Sequence, residues 1–378
     1  MDFTLTEHQK RLQATAREVA EKEFAPIADE LDRKQEFPHG NFRTLAKLGL
    51  TGVGIPTEYG GSGLGKMEAV IIGEEIARAC ASTAGVLGAH LTLCTEPIFI
   101  YGNEQQRRKF VTPLAKGEKI GAFAITEPEA GSDVSMIKCT SPSEPDCYIL
   151  NGTKAFITNG DVADTVVVFA TVPSLGKRGM TAFIVEDGMP GFKKGKKYDK
   201  VGMRALTNCE LVFDNCRVPA ANRLGEEGQG MKICLATLDR GRISIAAQTI
   251  GITRAVLEKS ADWAKKRVQF GGPIGQNQGV AFVLADMATQ LEAARLLAYQ
   301  AAFLCDSGQP FGVQASMAKL FASELAMQAT VQGIQVFGGY GYMMDSPMQR
   351  YFRDAKLTTI YEGTSEVQRM VISRSVLR

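Results

Sequence analysis

The sequence is poor in the residues that build metal sites and disulfide frameworks. It contains three histidines, one tryptophan and eight cysteines in 378 residues, and no two cysteines form a Cys-x-x-Cys pair. Disulfide frameworks and zinc sites place their cysteines at short, regular spacings, whereas scattered thiols in a long chain are typical of reduced cysteines in a cytosolic protein. We therefore expect neither disulfides nor a metal site.

An excess of charge of one sign and long apolar runs are also missing. The 43 Lys and Arg against 41 Asp and Glu leave a net charge of +2, so the basic excess of nucleic-acid-binding proteins is excluded. No apolar run approaches the roughly 20 residues that a membrane helix needs. The opening MDFTLTEHQK lacks a signal-peptide core and an Arg/Ser-rich transit segment. We expect a protein of the bacterial cytoplasm without nucleic-acid or membrane partners; a processed mitochondrial matrix protein is the alternative.

The patterns that are present divide the chain into three parts. Apolar residues recur at three- and four-residue spacing through the first third, short β-rich runs between Gly, Pro, Asp and Asn clusters follow, and long helical periodicity then returns. The last part contains three segments long enough to cross a bundle, at 243–266, 280–305 and 313–336. We predict an α+β fold with an N-terminal helical domain at 1–117, a middle β-barrel or sandwich domain at 118–228, and a C-terminal four-helix-bundle domain at 229–378.

Five motifs, in order, resemble those of the acyl-CoA dehydrogenase family. They are AITEPEAGSD at 124–133, KAFITNG at 154–160, RVQFGGPIGQNQ at 267–278, QVFGGYGY at 335–342 and IYEGTSEVQ at 360–368. The resemblance extends over essentially the whole chain and is nearest to the short-chain, butyryl-CoA type. It implies the acyl-CoA dehydrogenase fold, FAD as cofactor, an acyl-CoA substrate, electron-transferring flavoprotein as electron acceptor, and a homotetramer built as a dimer of dimers.

The resemblance assigns the catalytic base to Glu362. Desaturation to the 2-enoyl-CoA removes an α-proton while a hydride passes from the β-carbon to flavin N5, which requires a carboxylate in a dry pocket. Gly363 permits close backbone approach, and Ser365 with Gln368 has the spacing of a capping box that starts a helix. Taken alone, Glu-Gly-Thr is equally typical of an ordinary turn before a helix.

The resemblance also implies that the backbone N–H of Glu362 and a ribityl hydroxyl of the flavin bond the thioester oxygen, as in an oxyanion hole. Some branches of the family carry the base on an earlier helix, at the position of Gly241 within LDRGR; a glycine there leaves Glu362 without a rival. The alternatives are an acyl-CoA oxidase or a flavin monooxygenase on the same fold, and a non-catalytic flavin- or CoA-binding scaffold. Oxidases are usually longer, and the monooxygenases commonly lack the glutamate.

The flavin contacts implied by the resemblance form two groups. The first contacts the isoalloxazine ring or the adjoining substrate and comprises Phe123, Ile125, Thr126, Ser132, Phe156 and Thr158. The second contacts the adenosine diphosphate half across a subunit interface and comprises Arg267, Gln269, Phe270, Gln278, Gln335, Gly338 and Gly339. Thr364 and Glu366 contact the cofactor from the catalytic loop. Without the family context, KAFITNG is also typical of a β-turn, and QVFGGYGY is also typical of a helix end followed by a turn.

The remaining predicted contacts concern the CoA thioester. By resemblance they are Ser132, Asp239, Arg242, Tyr361 and Gly363. The segment 84–98 lines the acyl pocket, and Ala84 occupies the position where glutaryl-CoA relatives carry an arginine, so a dicarboxylic substrate is disfavoured. We interpret His90 and Glu96 as structural, with a substrate-orienting role as the alternative for His90. Short or medium acyl groups that are linear, branched or cyclic all stay open.

Overall fold

The computed structural model describes residues 4–377. Its first part is helical, and the first helix begins with a capping box in which Thr6 Oγ1 accepts from the backbone N–H of Gln9 at 3.2 Å and Gln9 Oε1 accepts from that of Thr6 at 3.0 Å. The helices are α1 Glu7–Val19, α2 Ala28–Lys34, α3 His39–Lys47, α4 Lys66–Ala79, α5 Ala81–Gly88, α6 Glu96–Tyr101, α7 Glu104–Gln106 and α8 Thr112–Ala115. A π-helical segment, Ala89–Thr95, joins α5 to α6.

This continuous helical stretch corrects one expectation from the sequence. Ala81–Tyr101 is 21 residues long and is apolar enough to cross a membrane, so a run of that length does exist. Of its most apolar window, 83% is buried inside the protein. The stretch is therefore a core helix that other elements cover, and its apolar surface needs no lipid.

The middle part is a sandwich of two β-sheets. Its strands are β1 Gly121–Ala124, β2 Cys147–Thr158, β3 Thr165–Thr171, β4 Met180–Glu186, β5 Phe192–Lys197, β6 Asn208–Pro219 and β7 Arg223–Leu224. One sheet has the order β1-β3-β4-β7, with β1 and β3 parallel, and the other has the antiparallel order β2-β6-β5. Alternate side chains of both sheets meet in one apolar core that includes Val166, Val168, Leu211 and Phe213.

The last part is a bundle of long helices. After α9 Gly230–Lys266, the short strands β8 Val268–Gln269 and β9 Gly272–Pro273 form a hairpin, and α10 Gln278–Asp306, α11 Gly312–Phe337, α12 Pro347–Thr358 and α13 Ser365–Val376 follow. Buried alanines, among them Ala294, Ala298, Ala318 and Ala322, permit close helix packing. From the first part, α4 packs against α9, and its buried Glu74 accepts hydrogen bonds from Arg254 and Arg295. The order of helical, β and helical parts agrees with the prediction.

Candidate active site

The loop between α12 and α13 has a strained backbone. Glu362 has φ +52° and Gly363 has φ +93°, and the left-handed conformation costs a residue other than glycine on the order of 1 kcal/mol or more. Hydrogen bonds within and beside the loop hold it in place. The N–H of Ser365 donates to the carbonyl of Thr359 at 3.0 Å, and Gln368 Nε2 donates to the carbonyls of Gly363 at 2.8 Å and Glu362 at 3.3 Å.

The start of α13 differs from the sequence prediction. Thr364 is the N-cap, and its Oγ1 accepts from the N–H of Val367 at 3.3 Å. Ser365 is the first helical residue, and its Oγ is buried without a hydrogen-bond partner among residues 4–377. The predicted capping box of Ser365 with Gln368 is therefore wrong, because the Gln368 side chain is buried and turns back to satisfy carbonyls of the loop.

The Glu362 carboxylate lies in a confined place beside α9. As a residue Glu362 is half-buried, but its Oε2 is buried and has no hydrogen-bond partner within the described part of the chain. Gly241 of α9 lies directly beside it, and a Cβ atom at this glycine would be 1.9 Å from Oε2 and 3.0 Å from Leu93 Cδ2. The carboxylate therefore occupies the space that any side chain at position 241 would need.

Burial and three cations act on this carboxyl in opposite directions. Burial raises the pKa of Glu362 to about 7, because it disfavours the charged form, while Lys319, Arg242 and Lys66 oppose this rise. The carboxyl is thus poised to gain or lose a proton near neutral pH. That property is expected of a general base, which works best when its pKa is close to the working pH.

The backbone N–H of Glu362 is a second free polar group at this point. The residue follows the end of α12 at Thr358, so its N–H is outside the helical hydrogen-bond ladder, and it donates to no other group among residues 4–377. A buried carboxylate and an unused N–H donor from one residue can together engage a C–H acid and the adjoining carbonyl oxygen.

The first group of predicted flavin contacts lies where β1 and β2 meet. The N–H of Ala155 donates to the carbonyl of Thr126 at 2.8 Å, which joins the two motifs. Phe156 has φ +58° and is 60% exposed, and its ring packs against that of Tyr198 with centroids 4.6 Å apart. Of the other predicted contacts, Phe123 and Ile125 are buried, Thr126 and Thr158 are half-buried, and Ser132 is exposed.

A buried lysine that the sequence prediction missed braces this region. Lys154 is completely buried, and its Nζ donates to Glu127 Oε1 at 2.7 Å and to the carbonyl of Ile125 at 3.1 Å. Glu127 also accepts from the N–H groups of Lys138 at 2.6 Å and Cys139 at 3.0 Å. One carboxylate thus organises the loop after β1, and Lys154 joins this loop to β2.

Part of the second group of predicted flavin contacts lines a surface cavity of about 570 Å³, together with the single tryptophan of the chain. Arg267, Gln269, Gly338 and Gly339 lie on its wall with Trp263, which stacks on Phe337 with ring centroids 4.8 Å apart. Beyond the cavity wall, three further predicted contacts are exposed, namely Phe270, Gln278 and Gln335. No hydrogen bond or ion pair between described residues joins this group to the first.

The structure pairs two of the predicted CoA contacts, Arg242 and Asp239, with each other. Arg242 is buried, and its Nη1 donates to Asp239 Oδ1 at 2.5 Å and to Ser316 Oγ at 3.2 Å. The charge of Arg242 also acts on Glu362, and its contact with CoA stays a prediction. The hydroxyl of Tyr361 donates a hydrogen bond to Oε1 of Gln248, within the protein.

His90 and Glu96, on the segment that we expect to line the acyl pocket, are both bonded within the protein. His90 Nδ1 accepts from the N–H of Gly121 at 3.0 Å, and its Nε2 contacts the carbonyl of Leu114 at 3.1 Å. Burial lowers the pKa of His90 to about 4, so the ring is neutral at physiological pH. Glu96 forms a buried ion pair with Lys66. These contacts agree with the structural interpretation of both residues.

Comparison with known proteins gives a consistent result along the whole chain. Models described as the N-terminal, middle and C-terminal domains of acyl-CoA dehydrogenase match residues 6–118, 122–216 and 228–377. A protein named acryloyl-CoA reductase (NADH) from Anaerotignum propionicum is 47% identical over 381 residues, which cover 100% of this chain and 96% of that protein.

Two solved structures are similar over their full length. Butyryl-CoA dehydrogenase from Megasphaera elsdenii is 46% identical with a TM-score of 0.98, and the match covers 100% of both chains. The same identity, TM-score and coverage apply to a chain in a structure whose title names the electron transferring flavoprotein of Acidaminococcus fermentans and flavin-based electron bifurcation. The predicted fold class is confirmed.

Proposed function

We propose that this chain, which belongs to the acyl-CoA dehydrogenase family, desaturates a short-chain acyl-CoA to the 2-enoyl-CoA with Glu362 as the base. It is an FAD-dependent oxidoreductase nearest to the short-chain type. The observation that carries the proposal is the buried Oε2 of Glu362 beside the N–H of the same residue, neither of which has a hydrogen-bond partner among residues 4–377. Bound FAD supplies the acceptor for the hydride that leaves the β-carbon.

In this proposal Glu362 has two tasks. Its carboxylate removes the α-proton of the thioester, and its pKa of about 7 makes it a stronger base than an exposed glutamate. Its backbone N–H donates to the thioester oxygen, where negative charge develops as the proton leaves. The confined site between Gly241 and Leu93 excludes water from the carboxylate, which keeps its affinity for the proton high.

The arrangement of the two flavin groups fits FAD bound by more than one subunit. Phe156, Thr126 and Thr158 would hold the ring, with Phe123, Ile125 and Ser132 beside it, and Arg267 would bind pyrophosphate because its fork satisfies two oxygens at once. We propose that a second copy completes the site in a homotetramer, as the resemblance of these motifs to the family implies. We propose that Gln269, Phe270, Gln278, Gln335, Gly338 and Gly339 come from that copy, and that Thr364 and Glu366 contact the cofactor from the catalytic loop.

We propose a short, uncharged acyl group, since relatives named short-chain specific acyl-CoA dehydrogenase are 46% and 47% identical to this chain. Ala84 is buried and carries no cation that could pair with a distal carboxylate. Leu93 and Glu96 lie on the same helical stretch as Ala84, and Glu96 is paired with Lys66 of α4. Burying an unpaired carboxylate in such a pocket is costly. Ser132, Asp239 and Arg242 are the proposed contacts of CoA, with Tyr361 and Gly363 beside the thioester.

The electron partner and the direction of the reaction rest on relatives. The similar chain from the electron transferring flavoprotein structure supports electron-transferring flavoprotein as the electron acceptor, in a bacterial cytoplasm. The relative named acryloyl-CoA reductase supports a second candidate, which is reduction of a short 2-enoyl-CoA by the same site. Addition of crotonyl-CoA to the reduced enzyme without oxygen tests whether the site can reduce an enoyl-CoA, since reduction of the thioester reoxidises the flavin.

The substrate is tested by anaerobic bleaching of the flavin in the purified holoenzyme. Butyryl-, hexanoyl-, isobutyryl-, isovaleryl-, cyclohexanecarboxyl- and glutaryl-CoA form the panel. We expect butyryl-CoA to bleach the flavin fastest and glutaryl-CoA to react roughly 100-fold more slowly or worse, because its carboxylate would be buried unpaired. Equal rates with butyryl- and glutaryl-CoA would contradict the proposed pocket, and no bleaching by any thioester would contradict the proposed reaction.

Replacement of Lys154 by Met tests the brace beneath the proposed ring site. The change leaves Glu127 buried without its cation, which should lower the free energy of unfolding by about 3 kcal/mol and loosen the loop that we propose to contact the flavin. The flavin-to-protein ratio after gel filtration and the melting temperature measure both effects. Lys138→Met is the matched control, because Lys138 pairs with Glu129 at an exposed site and should retain wild-type flavin content. Equal flavin content in both variants would show that the brace does not matter for the cofactor.

A further inference from the structure

Lys319 is a buried cation in the middle of α11 whose position in the interior requires an explanation. Its side chain is completely buried, and its Nζ donates to the carbonyl of Gly363 at 2.7 Å. It forms no ion pair within 4.0 Å with any carboxylate among residues 4–377. An ammonium group buried against a neutral carbonyl is costly unless a more distant negative charge compensates it.

Glu362 provides that charge. Burial lowers the pKa of Lys319 to about 8, and Glu362 is the strongest electrostatic influence in the opposite direction. In return, Lys319 is the strongest of the cations that hold down the pKa of Glu362, ahead of Arg242 and Lys66. The two residues therefore influence each other across the loop although their side chains form no direct hydrogen bond.

The other two cations have partners of their own. Arg242, on α9, is bonded to Asp239, and Lys66, on α4, is paired with Glu96. Glu96 and Asp239 therefore balance much of the charge of these two cations, which weakens their electrostatic effect on Glu362. Within the described residues, Lys319 bonds a neutral carbonyl of the catalytic loop rather than a carboxylate, so close partners balance its charge less than they balance the charges of Arg242 and Lys66.

We propose that Lys319 is a positioning residue for the base: its ammonium group anchors the loop through the Gly363 carbonyl and keeps the adjoining Glu362 carboxylate ionised. The inference rests on the proposed function of Glu362 and adds the device that makes this buried acid usable at neutral pH. The charged groups around the base are Lys319 from α11, Arg242 from α9 and Lys66 from α4. On the loop itself, Tyr361 keeps its proton because burial raises its pKa.

The sign of the effect follows from linkage. Without the charge at 319, burial acts on Glu362 with less opposition, so the pKa of Glu362 rises above about 7. The base is then protonated at neutral pH and is recovered only at higher pH. Loss of the anchor alone would instead lower the rate by a similar factor at every pH.

The test uses exchange of the α-hydrogens of acetyl-CoA in D₂O, followed by NMR from pH 6 to 9.5 on the holoenzyme. Acetyl-CoA has α-hydrogens but no β-carbon, so exchange reports the base without any electron transfer. Lys319→Gln keeps a hydrogen-bond donor, Lys319→Met removes donor and charge, and Lys319→Arg keeps the charge. We expect the rise of exchange with pH to move upward by about one pH unit in the two uncharged variants, a tenfold deficit at pH 6.5 that closes near pH 9. The Arg variant should restore the wild-type midpoint.

Thr330→Val is the matched control on the same helix, because it removes a buried hydroxyl that bonds only the carbonyl of Met327. Its exchange should keep the wild-type midpoint. A pH-independent deficit, or an unchanged profile, in the folded uncharged variants would overturn the role of the Lys319 charge. Glu362→Gln separates the two proposals: if that variant exchanges acetyl-CoA as fast as wild type, Glu362 is not the base, and the proposed function fails whatever the Lys319 variants do.

Discussion

Replacement of Glu362 by Gln should lower the rate of butyryl-CoA-dependent flavin reduction by roughly 10⁴-fold, the upper end of the range for loss of a general base. The amide keeps the size and the backbone N–H of the residue but cannot accept the α-proton. Stopped-flow absorbance under anaerobic conditions measures the reduction. Flavin content should match the wild type, because the substitution removes no hydrogen bond of Oε2 within the described residues.

The same experiment on the wild type has a pH dependence that the structure sets. Because burial raises the pKa of Glu362 to about 7, the base is mostly protonated at pH 6 and mostly ionised at pH 8. The reduction rate should therefore rise through neutral pH and level off above it. The Gln variant should lack this rise. A residual rate in the variant that follows the wild-type pH profile would mean that another group removes the proton.

Replacement of Gly241 by Ala should cost roughly 100-fold in the same rate, since displacement of a reacting group by about 1 Å has an effect of that order. The new Cβ would lie 1.9 Å from Glu362 Oε2, so the carboxylate must move. The other neighbour of this Cβ, Leu93 Cδ2 at 3.0 Å, leaves little room for the helix to adjust. We expect kcat to fall far more than the affinity for butyryl-CoA, because the acyl pocket beyond the carboxylate is unchanged.

Gly40→Ala provides the control for this change. Gly40 lies in α3, and a Cβ there would have no atom within 4 Å, so alanine should raise stability by about 0.5–1 kcal/mol through reduced backbone entropy. Flavin reduction should not change. If Gly241→Ala retained wild-type activity, the carboxylate would have an alternative productive position, and the close contact with α9 would not define the site of proton removal.

Sequence patterns were sufficient for features that depend on neighbouring residues. The three-part order of helical, β and helical elements follows from apolar periodicity, which local geometry imposes. The strand predicted at 147–159 corresponds to β2 Cys147–Thr158, and the helix predicted at 280–305 corresponds to α10 Gln278–Asp306. The helix predicted at 243–266 begins earlier, at Gly230. Asp239, Arg240 and Gly241 interrupt the apolar pattern inside this helix, so the pattern alone placed its start too late.

Sequence patterns failed where a side chain is satisfied by a distant element. The spacing of Ser365 and Gln368 fits a capping box, but the burial of Gln368 against the loop carbonyls gives the cap to Thr364. Arg242 is bonded to Ser316 of α11 as well as to the nearby Asp239, and spacing along the chain did not indicate the bond to Ser316. In both cases the local motif competes with a buried partner, and burial makes that partner more valuable than water.

By itself, the sequence determined the family, the cofactor and the glutamate that we propose as the base, because these depend on motifs whose residues are close together along the chain. Only the tertiary structure decided the surroundings of that glutamate. Gly241, Lys319 and Glu362 are separated by dozens of residues, and they meet because α9, α11 and the catalytic loop pack together. A pKa depends on distance in space and on exclusion of water, and neither can be obtained from spacing along the chain.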